Sequence, residues 1–89
     1  MSKGYTVPKE VIAETLEGRA VVLHLKTGKY FALNASGTRM WERLAAHGDS
    51  SRTASEISAE YAIDRSVVEQ DLAEFIAELV ARGLLADVG

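Results

Sequence analysis

The run Gly28-Lys29-Tyr30-Phe31-Ala32-Leu33-Asn34-Ala35-Ser36-Gly37-Thr38-Arg39-Met40-Trp41 changes hydrophobic period partway along. Up to Leu33 it has the alternation of a strand, and from Asn34 it has the wider spacing of a helix. A chain that makes this switch must end a strand and start a helix at one place, and that orders everything around it. Before the switch, Ala20-Val21-Val22-Leu23-His24-Leu25 is rich in β-branched and aliphatic residues and predicts a strand. Val11 to Leu16 predicts a shorter one, with Glu17-Gly18 as the turn between them.

After the switch, Asn34, or alternatively Ser36, is the N-cap of a helix that runs to about Ala46. Met40, Trp41, Leu44 and Ala45 form its apolar stripe, and His47-Gly48 ends it. Gly37 in its first turn costs about 1 kcal/mol relative to alanine, a cost that close packing of helix on sheet would explain. Asp49 to Arg52 reads as a loop, followed by a capping box of Thr53 and Glu56. The short helix opened there turns Ile57, Tyr61 and Ile63 inward. Asp64, or Ser66 paired with Glu69, starts the last and longest helix, which carries Val68, Leu72, Phe75, Ile76, Leu79 and Val80 at helical spacing. Arg82-Gly83 stops it, with Gly83 at the C′ position, and Leu84-Leu85 fold back on the core. Strands followed by helices predict an α+β domain. The expected architecture is a three-stranded antiparallel sheet followed by three helices, with a winged helix-turn-helix-like outline.

The register of the second and third strands follows from the pattern. A two-residue loop of Thr27-Gly28 would pair Leu25 with Tyr30 and split the apolar residues over both faces. A three-residue loop, Lys26-Thr27-Gly28, pairs Leu23 with Phe31 and Val21 with Leu33. It gathers Leu25, Leu23, Val21, Phe31 and Leu33 on one face and leaves His24, Tyr30, Val22 and Ala32 on the other. A slip of one residue inverts every side chain, so the three-residue loop is the expected one, with Gly28 left-handed in a bulged turn.

Composition narrows the function classes. At 89 residues, the chain has room for one domain over residues 1–89, with residues 1–9 as a flexible lead-in. There is no cysteine, hence no disulfide, thiolate nucleophile or thiolate metal site. The N-terminus lacks the apolar core of a signal peptide, and no apolar run reaches the roughly 20 residues of a membrane span. A cytoplasmic protein without a membrane partner is expected. The only histidines, His24 and His47, lack metal-ligand spacing. The serines lack a nucleophile-elbow context, and no phosphate loop is present. No catalytic residue, metal or cofactor is expected.

The rival to consider is a winged-helix DNA-binding regulator, but the charges oppose it. The net charge is −3, and the last helix shows Glu69, Gln70, Asp71, Glu74 and Glu78, with Arg65 and Arg82 only at its ends. The helix of Thr53 to Ile63 adds Glu56 and Glu60 and no base. A phosphate backbone repels such surfaces, so no nucleic-acid partner is expected. Recognition by a sheet edge remains. If the second strand is central, Lys29 to Leu33 lies at an edge, with unpaired N–H and C=O groups that only Lys29 guards. An extended peptide pairing there gains about 0.5–1.5 kcal/mol per hydrogen bond, with side-chain pockets supplying selectivity. The other possibility is that a loop or a second copy of the chain covers this edge.

The run Gly28-Lys29-Tyr30-Phe31-Ala32-Leu33-Asn34, with Gly37, Trp41, Asp71-Leu72, Phe75, Leu79 and Gly83-Leu84-Leu85, resembles the PqqD-like family. These are leader-peptide recognition domains for ribosomally made, post-translationally modified peptides. The resemblance covers about Val11 to Leu85 and implies a winged-helix relative in which a leader peptide adds to the third strand against the third helix. It implies peptide binding by Lys29, Tyr30, Phe31, Ala32 and Leu33, and by Val67, Val68, Asp71, Leu72 and Phe75. The Tyr30-Phe31 pair, Trp41 and the short polar N-terminus are most similar to the lasso-peptide members. Those imply a precursor leader peptide as ligand, with a separate leader peptidase and a macrolactam-forming cyclase as partners. The other stand-alone group serves the precursor of pyrroloquinoline quinone.

Overall fold

The structure, a computed structural model, describes residues 4–88. Its first tight turn is the expected one. Glu17 and Gly18 both take positive φ, 54° and 79°, which gives a two-residue hairpin the twist of its flanking strands. The turn joins β2 (Val11–Leu16) to β3 (Arg19–His24), and β3 pairs in turn with β4 (Tyr30–Ala32). The sheet is antiparallel with order β2-β3-β4, so β3 is central and β4 is an edge. Three helices follow: α1 (Ala35–His47), α2 (Ser50–Tyr61) and α3 (Arg65–Ala81).

A second, two-stranded sheet was not foreseen. β1 (Tyr5–Thr6) pairs with β5 (Ala86–Asp87), and Tyr5 N–H donates to Gly48 C=O at 2.7 Å. The expected lead-in is therefore structured over these residues; its first three lie outside the described residues. Leu84 and Leu85 do fold back as expected, both almost fully buried, and they carry the chain into β5.

The β3–β4 register differs from the expected one. Phe31 lies opposite Val22 and Tyr30 opposite Leu23, which leaves a four-residue loop, Leu25 to Gly28. Two causes act together, one local and one tertiary. His24 wraps the loop: its Nδ1 accepts from the N–H groups of Lys26 and Thr27, and its C=O accepts from Gly28 N–H at 2.9 Å. Gly28 takes φ +76° there, the left-handed conformation expected of it. The inward positions of β3 are then the small Ala20 and Val22, with Val21, Leu23 and Leu25 turned outward. Small residues let α1 come close enough for Thr38 Oγ1 to accept Ala20 N–H at 2.9 Å. Pattern reasoning failed because Val21-Val22-Leu23 is apolar on both faces, so alternation does not choose between registers.

Caps place the helices. Asn34 caps α1, its Oδ1 accepting Gly37 N–H at 2.8 Å, a contribution of about 1 kcal/mol. Gly48, at φ +73°, ends it. Met40, Trp41 and Leu44 are buried, but Ala45 is exposed. The segment Asp49 to Arg52 is not a loop: Asp49 caps α2 by accepting Arg52 N–H at 3.0 Å. Thr53, expected at the cap, lies inside the helix, where its hydroxyl donates back to Asp49 C=O at 2.8 Å. Asp49 accepts one turn earlier, so the capping-box reading lost to a closer competitor. Ile57 is buried, whereas Tyr61 and Ile63 remain over 40% exposed. Asp64 caps α3, and Leu84 N–H donates to Leu79 C=O at 2.8 Å to close it around Gly83. The core joins Val22 and Leu33 of the sheet region to Trp41, Leu44, Ile57, Val68, Leu72, Ile76 and Leu79. Each buried aliphatic side chain contributes about 1.5–3 kcal/mol.

Candidate functional site

Which groups of β4 face the open edge follows from two hydrogen bonds. His24 N–H donates to Lys29 C=O at 2.9 Å, and Leu33 N–H donates to Ala20 C=O at 2.8 Å. Antiparallel ladders alternate, so Phe31 also points its N–H and C=O at β3. Tyr30 and Ala32 therefore turn theirs outward, away from the sheet. Their side chains share the solvent face, with Tyr30 64% exposed, while Phe31 and Leu33 face the helices.

A wall stands beside this edge. On α3, Val67, Asp71, Phe75 and Glu78, continued by Arg82 at the cap, recur every three or four residues and share one stripe. Phe75 meets Phe31 with ring centroids 6.3 Å apart and planes tilted by 43°. Behind them, a Cβ at Gly37 would lie 3.6 Å from both Leu33 Cβ and Phe75 Cε1. Gly37 thus sits in ordinary contact with Leu33 and the α3 ring, and an added Cβ would press closest, at 3.2 Å, on the Asn34 cap. Arg82 closes the end of the groove. Its guanidinium carbon lies 4.3 Å from the Phe31 ring centroid, its Nη1 donates to Tyr30 C=O at 3.4 Å, and its Nε donates to Glu78 at 3.2 Å.

Among the residues singled out from sequence, Phe31 and Phe75 meet and are half-buried. Val67 and Asp71 are exposed on the same stripe as Phe75, and Lys29 is exposed where β4 begins. Leu33, Val68 and Leu72 are buried in the core, each at most 4% exposed, and Leu72 borders the hollow between α2 and α3. Sequence reasoning missed Glu78 and Arg82 as groove residues. It treated Arg82 as a helix stop, although Glu78 and Arg82 extend the stripe of Asp71 and Phe75 by whole turns.

The perturbed acids lie elsewhere. Glu56 and Glu60 of α2 face α1. The hydrogen bond from His47, then that from Arg52, holds the Glu56 carboxyl below its ordinary range. Arg39, with Arg43 assisting, does the same for Glu60, against an opposing push from burial. A hollow of about 570 Å³ lies between α2 and α3, lined by Ala54, Ala73, Ile76, Ala77 and Val80, and also by Tyr5 and Asp87. The strands bordering it, β1 and β5, have only two residues each. The β4 groove differs in kind: it offers outward backbone donors and acceptors beside two aromatic rings, the equipment for pairing with an extended chain.

The domain is a small α+β fold whose three-residue edge strand β4, one of two sheet edges, is walled by a helix. Residues 19–85 match the family described as Coenzyme PQQ synthesis protein D (PqqD), and the chain belongs to that family. Among solved structures it is similar to TbiB1, determined in complex with the TbiA(beta) leader peptide. The identity is 36% and the TM-score 0.85, over 90% of this chain and 93% of that one. It also shares the fold of lasso peptide synthetase B1 complexed with the leader peptide, at 22% identity and TM-score 0.83, over 93% and 98% of the two chains. No curated protein sequence matches the chain.

Proposed function

We propose that this protein is a non-enzymatic carrier for the leader peptide of a ribosomally made precursor, of the lasso-peptide type. The leader adds as a strand to β4, pairing with the outward N–H and C=O groups of Tyr30 and Ala32. Leader side chains that face the helices then pack on the outer side of the Phe31–Phe75 pair. The observation that carries this reading is the coincidence of an open edge with an aromatic wall along it. The leader peptide bound by a 36%-identical relative supports it. Lys29, Tyr30, Phe31, Ala32, Val67, Asp71 and Phe75 form the contact surface, with Leu33, Val68 and Leu72 buried in the core.

The carrier acts by effective concentration. Holding the leader makes the encounter of a separate leader peptidase, and then of a macrolactam-forming cyclase, with the precursor nearly intramolecular. The test is to titrate the isotopically labelled protein with the synthetic TbiA(beta) leader peptide and map amide shifts. Shifts along Lys29 to Leu33 and Val67 to Phe75 are expected. Shifts confined to Thr53 to Ile63 would overturn the reading. Salt separates it from DNA binding: phosphate contacts weaken steeply as salt rises, whereas strand pairing holds.

A further inference from the structure

The β4 edge is not open along its whole length. Arg82 leaves the end of α3, passes over the face of Phe31 at 4.3 Å and reaches the Tyr30 carbonyl at 3.4 Å. That carbonyl is one of the outward acceptors that an added strand needs, because Phe31 and not Tyr30 bonds to β3. The ring that Arg82 covers is the floor against which such a strand would pack. Glu78 holds the other side of the guanidinium at 3.2 Å, so the side chain is tethered across the groove from wall to edge. It is also 39% exposed, and none of its contacts is buried enough to be costly to break.

The geometry points to Arg82 as a displaceable guard of the peptide groove. In the free chain it caps the Tyr30 carbonyl and covers Phe31, which blunts the edge against pairing with a second copy. A leader strand must move it aside, so its contacts set a threshold that weak or badly matched peptides do not pass. This inference rests on the leader-binding reading for its second half only. The guarding of the free edge stands on the contacts of Arg82 alone.

The test compares wild type, Arg82→Ala and Arg82→Gln; the glutamine variant keeps the length of the side chain and removes its charge. Circular dichroism checks that overall helix content is unchanged. Against the TbiA(beta) leader peptide, Arg82→Ala is expected to bind about 2- to 5-fold tighter, the value of an exposed cation–π contact, with Arg82→Gln in between. Binding by the alanine variant but not by wild type would be the strongest support. Unchanged or weaker binding by the alanine variant would overturn the guard while leaving the leader-binding reading intact. If neither binds, that reading fails for this peptide, and sedimentation of the free proteins decides the guard. A concentration-dependent dimer of Arg82→Ala beside monomeric wild type supports it, and identical sedimentation of the two overturns it.

Discussion

The sheet has two outer edges, and they differ in what stands beside them. β2 is the longer, six residues against three, and five of its six residues are exposed. Among the described residues no strand pairs with its outer side. The ladder leaves the N–H and C=O groups of Ala13 and Thr15 pointing outward there, just as it leaves those of Tyr30 and Ala32 on β4. In backbone terms both edges invite a peptide. Among the described residues only β4 has a wall, made by Phe75 and Glu78, with Arg82 reaching across from its end. A strand added to β2 would gain hydrogen bonds and bury almost no side chain, and such bonds alone barely exceed the cost of ordering a peptide. The candidate site is made by the helix as much as by the strand.

The sharpest way to break this comparison is a matched pair of prolines. Ala32 and Ala13 are both alanines with an outward N–H, so proline at either removes an edge donor and no ladder bond. Ala32→Pro is expected to abolish leader binding, read by fluorescence anisotropy. Ala13→Pro is expected to leave it within about 2-fold, the change for a surface position outside a site. Equal losses would mean that the peptide does not choose between the edges.

The next effect is on stability and falls on the β4 side. Thr38 is 1% exposed; its hydroxyl accepts Ala20 N–H and donates to Asn34 C=O at 2.8 Å. Thr38→Val keeps the shape and leaves a buried N–H without a partner, which costs about 1–3 kcal/mol. Urea unfolding should show that loss. Amide exchange should quicken at Leu33, whose N–H pairs with Ala20 C=O, and stay slow along the β2–β3 pairs. Uniform quickening would show that the two edges are not energetically separate.

Phe75→Ala tests the wall itself. The ring is partly buried, and it supplies both area and the tilted contact with Phe31. Its loss is expected to weaken leader binding about tenfold, or about 1.4 kcal/mol. Isothermal titration on protein shown by thermal melting to be folded reads it. Binding at wild-type strength would place the peptide away from α3.

The same comparison explains how much could be read from sequence. The order of the three main strands and three helices, the Asn34 cap and the turn at Gly83 follow from local signals: period, capping residues and glycine. The edge position of β4 follows once β3 is taken as central. The register of β4 does not, because Val21, Val22 and Leu23 are all apolar. The choice was made by a tertiary approach, α1 against Ala20, and by His24 wrapping the loop. Asp49 outcompeted Thr53 as a cap because several good capping residues stand within one turn of each other. The β1–β5 pair joins the two ends of the chain, and no local pattern in two residues predicts that. Of the candidate site, the aromatic residues were visible by type. Arg82 was not, since its role depends on reaching a strand more than 50 positions earlier in the chain.

The smallest expected effect lies at the α1–α2 seam, remote from both edges, and it separates stability from binding. Glu60 pairs with Arg39 and Arg43, and its carboxyl is held below the ordinary value of 4.5, chiefly by the Arg39 hydrogen bond. A carboxylate with a depressed native pKa favours the folded state fully above its unfolded pKa. That contribution is lost as pH falls through the native value. Wild type should therefore lose stability relative to Glu60→Gln only below pH 4.5, with a constant difference between the two above it. Parallel thermal melts of the two proteins across that range show whether the curves converge in acid. The amide of Glu60→Gln cannot titrate, so a difference that persists unchanged to pH 3 would mean that the seam's ion pairs do not stabilise the fold. Leader binding, measured at neutral pH, should be the same for both proteins, because neither the β4 groove nor the β2 edge touches Glu60.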